Sequence, residues 1–221
     1  MQCSARKCFA RWKKDNNSNA CFRDQTILQF GDSWKLLANF ILLNPGSASP
    51  KDEINKQNKL LEAKDLPFYI NDKNNGYYEF TIDRLMNDLL KLYSAKHPRG
   101  GVLKLYNLFN LKNQHSGAAI ECFKNNKHNP NMLYTTPEEI RFADAPVIIA
   151  SGRKAASDET LKRELKKYIE LANTSQLYSL SKSNVDRKLF AIVKTEPDEN
   201  GIIASYHPSY TFKYGNTTIL E

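Results

Sequence analysis

The chain has 221 residues, 41% hydrophobic and 25% charged, ordinary for a globular protein and long enough for one large α/β domain or two small ones. Its 32 Lys and Arg oppose 24 Asp and Glu, and the net charge of +8 favours polyanionic partners, nucleic acid above all. No run approaches about 18 consecutive apolar residues, which excludes a membrane-spanning helix; "MQCSARKCFARWKK" is basic but lacks an apolar h-region, so no secretory signal is read there and a cytosolic location is expected.

Residues 1–25 are polar and basic, with "KKDNNSN" read as a loop. "TILQFG" and "LANFILLN" read as strands joined by a turn at "GDSW". Residues 50–66 are Lys-rich with weak helical periodicity. "LPFYINDKNNGYY" reads as a loop that turns at Asn75-Gly76. In "EFTIDRLMNDLLKLYSAK", Phe80, Leu85, Leu89, Leu90 and Tyr93 fall near helical spacing, which predicts an amphipathic helix ending at "HPRGG". "VLKLYNLFNL" is a second main strand. Residues 112–136, rich in Asn, Lys and His, read as an insertion, and "TPEEIRFAD" opens like a helix with Pro137 in its first turn. "APVIIASG" reads as a buried strand, "DETLKRELKKYIELAN" as an amphipathic helix, "KLFAIVKTEP" as a strand, and "GIIASYHPSYTF" as a last strand ending in His-Pro-Ser.

Cys3, Cys8, Cys21 and Cys122 contain no CxxC pair, and His115 and His128 flank Cys122 without tight ligand spacing. Reduced, partly buried thiols are expected rather than a metal site. The alternation of strands and helices predicts one α/β domain over 1–221: a three-layer α/β/α sandwich on a mainly parallel sheet, with a basic segment at 1–25 and an insertion near 112–136. In such sheets ligands bind at the carboxyl ends of the strands. Three apolar strands run into polar tips, "LLNPGS", "IIASGRKA" and "ASYHPS". An amide at Asn44 on such a tip is placed for chemistry, although Asn-Pro-Gly is also simply a good turn.

"LLNPG" together with "YHPS" resembles the two signature motifs of the uracil-DNA glycosylase superfamily. The first is similar to the Asn-Pro-Gly motif of its mismatch-specific uracil/thymine branch, and the second to the His-Pro-Ser motif of its classical uracil branch. "LPFY", "GVLKLYNLFNLK" and "VIIASGRKA" fall between them in matching order, so the resemblance covers about residues 38–214. "LNPGSAS" and "NLFNLK" also resemble a prokaryotic domain family that is a distant relative of the same fold. The resemblance implies a monofunctional DNA glycosylase that flips out a pyrimidine-type base, hydrolyses its N-glycosidic bond and leaves an abasic site. It implies no cofactor or metal, DNA as the partner, and no obligatory protein partner. Base-excision repair and defence against phage DNA with modified bases are both compatible with it.

Carried over residue by residue, the resemblance makes Asn44 the group that orients water and His207 the donor to the departing base. Phe68 is then the stacking ring, with Tyr69 and Tyr78 behind it, and Asn107 and Gly46 contact the base. Ser47, Arg153, Lys154, Ser209, Tyr210 and Phe212 are the expected DNA contacts, with Tyr210 or Phe212 as wedge. The chain departs from both branches. Asn44 replaces the acidic water activator of the classical branch, and the mismatch branch usually lacks the His. Core packing accounts equally for Phe68. Two other functions stay open: a nucleoside or nucleotide N-glycosidase on the same fold, and a nucleic-acid-binding module without catalysis.

Overall fold

The computed structural model describes residues 6–15, 20–52, 54–72, 75–126, 133–183 and 189–219. Its strands are β1 (Arg6–Lys14), β2 (Cys21–Gly31), β3 (Leu36–Leu42), β4 (Tyr77–Phe80), β5 (Gly100–Asn107), β6 (Val147–Ile149), β7 (Leu177–Lys182), β8 (Leu189–Lys194) and β9 (Asn216–Ile219). The helices are α1 (Asn58–Glu62), α2 (Arg84–Ser94), α3 (Ser116–Asn125), α4 (Arg153–Ser157), α5 (Glu159–Leu171) and α6 (Pro208–Tyr214). Among the described residues the strands form one nine-stranded sheet in the order β4-β1-β2-β5-β3-β6-β7-β8-β9.

The sheet is mixed, which corrects the expectation of a mainly parallel one. β5, β3, β6 and β7 run parallel to one another, and β8 pairs parallel with β9. The β4-β1-β2-β5 side and the β7–β8 pair are antiparallel. The difference begins in residues 1–25, where the basic segment conceals an alternation. Cys8 and Ala10 enter one hydrophobic cluster, and Phe9 enters another. Its charged neighbours mask a strand that lies between β4 and β2. β2 and β3 do not pair across "GDSW" but flank β5 on either side. All eight residues of β5 are buried, as its central position requires.

Alternate residues of β3 enter different clusters. Ala38, Phe40 and Leu42 join Met86, Leu89, Leu90 and Tyr93 of α2, whereas Ile41 and Leu43 join Phe123 of α3 and Leu161, Leu165 and Tyr168 of α5. α2 starts where the Asp83 side chain accepts from the Met86 N–H at 3.0 Å, and its buried side chains recur every three or four residues. Phe80 belongs to β4 and not to this helix. α5 starts in the same way at Asp158, whose side chain accepts from Thr160 and Leu161. "TPEEIRFAD" yields only a single 3-10 turn at Pro137–Glu139, and residues 50–66 only the short α1. Part of the 112–136 insertion is α3; residues 127–132, with His128, lie outside the described residues, as does Cys3.

One irregularity bears on the site. The β1–β2 register shifts between Phe9 and Arg11, and Gln25 opposite takes φ 51°, strained for a residue with a Cβ. The extra residue reverses the side-chain alternation. Asp24 meets the buried Arg11, whose Nε donates to Oδ1 at 2.9 Å, and Arg11 also reaches Asp72 and Glu139. Arg23 turns to the other face. There its Nη1 donates to the Ala48 carbonyl at 3.4 Å and its guanidinium lies 5.7 Å from the Phe80 ring.

Candidate active site

The parallel strands β5, β3 and β6 end together, with Leu42 opposite Asn107 and Ile41 opposite Ile149. The chain beyond each tip enters one cleft of about 570 Å³. Asn44, Gly46 and Ser47 line it from the turn after β3, and Ser151, Gly152, Arg153 and Lys154 from the turn after β6. His207, Ser209 and Phe212 line it from α6, and Asp83, Leu85 and Asp88 from the start of α2. Asn44 and His207, 163 positions apart by their numbers, therefore face one cavity.

His207 does not arrive on a strand. Residues 202–206 make no ladder, although the Tyr206 N–H donates to the Leu180 carbonyl at 2.8 Å. Pro208 opens α6, since a first-turn residue needs no N–H donor, and His207 caps the helix. Gly152, at φ 89°, completes the approach: a Cβ there would sit 3.3 Å from His207 Cβ.

The Asn44 amide is held by its nitrogen. Nδ2 donates to the Pro45 carbonyl at 2.9 Å and to the Asn113 carbonyl at 2.8 Å. Two facing carbonyls require a donor, so the amide has one orientation, with Oδ1 as its free end. A carboxylate would set acceptor against acceptor here.

The His207 ring is equally defined. Its Nδ1 accepts from the Ser209 N–H at 3.3 Å and lies 2.8 Å from Ser209 Oγ. A backbone N–H only donates, so Nδ1 is unprotonated and the neutral ring carries its proton on Nε2. Burial pushes its pKa down to about 4. Above about pH 6.5 the ring is neutral in the folded and unfolded chain alike. As pH falls from there toward 4, the unfolded chain takes up a proton that the folded chain refuses, so stability is lost across that window. His207→Asn keeps a capping acceptor for Ser209 but removes this titration. Thermal unfolding across the window should show the parent losing more stability on acidification than the variant; parallel losses would contradict the assignment.

Two groups at the site were not legible in the sequence. The first is Asp83, one oxygen of which caps α2. The other, Oδ2, lies 3.0 Å from where a Cβ on Gly46 would stand, so any side chain there would crowd this carboxylate. The second is a recess of about 10 Å³ lined by Arg23, Thr26, Asn44, Gly46, Asp83 and Asn107, with room for about one water. Arg23 Nε, Thr26 Oγ1 and Asn107 Oδ1 are buried there without protein partners. Buried polar atoms require hydrogen bonds, so the recess suits a single water or one oxygen of a ligand. No pattern rule foretells Arg23, because only the bulge at Gln25 aims it inward.

Asn107, at the tip of β5, thus joins Asn44 in the recess, beside the cleft. The stacking residues are not brought there. Phe68 is 1% exposed and Tyr69 8%; both pack with Phe9, Ile27 and Val102, and the Lys104 ammonium lies 6.0 Å from the Phe68 ring centroid. Tyr78 packs against the α2 side of the sheet. None of the three lines the cleft, because the chain after α1 folds into the core instead of toward the strand tips. Tyr210 lies outside the cleft lining, and Phe212 within it.

Cys8 is a buried thiol whose pKa burial pushes up to about 12. Among the described residues no three His, Cys, Asp or Glu side chains gather as a metal site, and no helix is long and apolar enough to cross a membrane. No protein-family model, no curated protein and no solved structure matches this chain.

Proposed function

We propose that the chain is a monofunctional DNA glycosylase of the uracil-DNA glycosylase fold, with helices layered on both faces of its sheet. The observation that carries this reading is the convergence on one cleft of an amide with a free acceptor end and a neutral imidazole with a free N–H. Hydrolysis of an N-glycosidic bond passes through an oxocarbenium-like sugar and a departing base anion. Asn44 Oδ1 holds the water by accepting one of its hydrogens. As the bond from base nitrogen to sugar carbon breaks, its electron pair leaves with the base. His207 Nε2–H donates to the base oxygen on which that charge gathers, and a neutral donor suits an anion formed only in the transition state. The water oxygen bonds to the sugar carbon and its proton passes to the Asp83 carboxylate. The recess beside Asn44 holds a second water or the edge of the base.

A cleft of about 570 Å³ has room for a flipped-out pyrimidine together with its sugar, and enlarged pyrimidines belong with uracil among the substrates to be tested. The test is incubation with DNAs carrying uracil, mismatched thymine or enlarged pyrimidines, followed by alkali to cut at abasic sites. Cleavage of at least one substrate is expected, and none across the panel would sink the reading.

Arg153 and Lys154 at the cleft mouth meet backbone phosphates in this reading. Binding should weaken steeply as salt rises, and reversing both residues to Glu should lower affinity across sequences and flatten the salt dependence by about one to two contacts. Titrations at several salt concentrations measure this; salt-insensitive binding would argue against a phosphate backbone in the cleft.

A further inference from the structure

A row of tyrosines that the chemistry above does not use begins just before α6 and continues along it. Tyr206, Tyr210 and Tyr214 are spaced four residues apart. The Tyr206 and Tyr210 rings stack at 5.7 Å with planes 25° apart, and Tyr210 and Tyr214 lie at 4.8 Å and 47°. Phe190 of β8 braces the row from below, edge-on to Tyr206 at 5.2 Å and to Tyr210 at 6.0 Å. Yet Tyr210 is 46% exposed and Tyr214 55%, and they are two of only four large hydrophobic side chains so exposed among the described residues. Aromatic rings held in register and left in water mark a contact surface.

The charges around the row indicate the partner. The Arg153 guanidinium lies 5.7 Å from the Tyr206 ring centroid and the Lys213 ammonium 4.8 Å from that of Tyr214. Both cations also line the cleft, so the row lies along its rim with a positive group at each end. We propose that this ladder is a stacking platform for consecutive unpaired bases of a DNA strand that passes along the rim of the cleft. Every base has a flat face, so stacking on tyrosine tolerates any sequence, and the flanking cations meet the phosphates. A duplex keeps those faces within its own stack, so the platform selects single-stranded DNA. The inference rests on the DNA partner of the proposed function but not on bond cleavage.

The test is fluorescence anisotropy of the full chain with a labelled single strand of mixed sequence, with the same strand in a duplex, and with its RNA counterpart, at one salt concentration. The single DNA strand should bind more tightly than the duplex. Tyr210→Ala and Tyr214→Ala should each weaken it roughly tenfold while leaving the duplex unchanged, and Tyr210→Phe should bind like the parent. Both tyrosines are half exposed, so the variants should remain folded at assay temperature, which thermal unfolding checks. Alanine variants that bind the single strand as tightly as the parent would overturn the platform, and tighter binding of RNA would overturn the assignment to DNA. Abasic-site formation by the same preparations separates the two readings. Ladder-dependent binding without cleavage sinks the hydrolase and leaves the platform; cleavage with ladder-independent binding does the reverse. A chain that binds no strand overturns both.

Discussion

Asn44→Ala is expected to slow single-turnover base release roughly 10²–10³-fold while DNA binding stays near that of the parent. In the proposed reaction the side chain orients the water and contacts little of the duplex, so its loss should appear in the chemical step. It also removes two hydrogen bonds to backbone carbonyls, each worth about 1 kcal/mol, and each such loss lowers Tm by about 2–4 °C in a chain of this size. The variant should therefore remain folded at assay temperature. If Asn-Pro-Gly were only a turn, activity would fall in proportion to the unfolded fraction and no further. Thermal unfolding beside single-turnover cleavage separates the two, and a folded Asn44→Ala that cuts at the parent's rate would end the catalytic role. Asn44→Asp should do no better than Ala, because a carboxylate cannot donate to the Pro45 and Asn113 carbonyls.

Asp83→Asn should cost as much or more, since loss of a positioned general base typically slows a reaction by about 10²–10⁴. Asn is as good a helix cap as Asp and preserves the bond from the Met86 N–H, so α2 should form as before. What disappears is the carboxylate beside Gly46 that serves as proton acceptor in the proposed reaction. Asp83→Ala removes cap and carboxylate together and should lose about 1 kcal/mol of stability on top of the same rate loss. The buried Arg23 feels the Asp83 charge, so unfolding must be followed in both variants. A well-folded Asp83→Asn with parental turnover would reduce this residue to a cap and leave the water to Asn44 alone.

The long amphipathic helices and apolar strands were legible because their signal is local. In α5, Leu161, Leu165, Tyr168 and Ile169 recur at helical spacing, and Asp158 marks the start. Val147–Ile149 is apolar without interruption, as a strand buried on both faces must be. β1 was not legible, because the charged side chains around Cys8, Phe9 and Ala10 mask its apolar residues. The last expected strand failed for a definite reason: Pro208 has no N–H for a ladder but opens a helix at no cost, so His-Pro-Ser became a cap.

The sequence by itself determined which polar side chains sit where the chain must turn. Asn44 and His207 stand out because Asn-Pro-Gly and His-Pro-Ser each join a reactive side chain to backbone that must turn. The tertiary structure alone decided what those side chains face. Phe68 and Asn107 looked alike as candidates, yet packing buried the ring behind Lys104 and brought the amide beside Asn44. Arg23 and Asp83 enter the site through a one-residue bulge at Gln25 and the approach of the α2 cap to Gly46, contacts between segments far apart in the chain. Local pattern reports on neighbours within a few residues. A site assembled from β2, β3, β5, α2 and α6 depends on strand order and register, which only the folded sheet fixes.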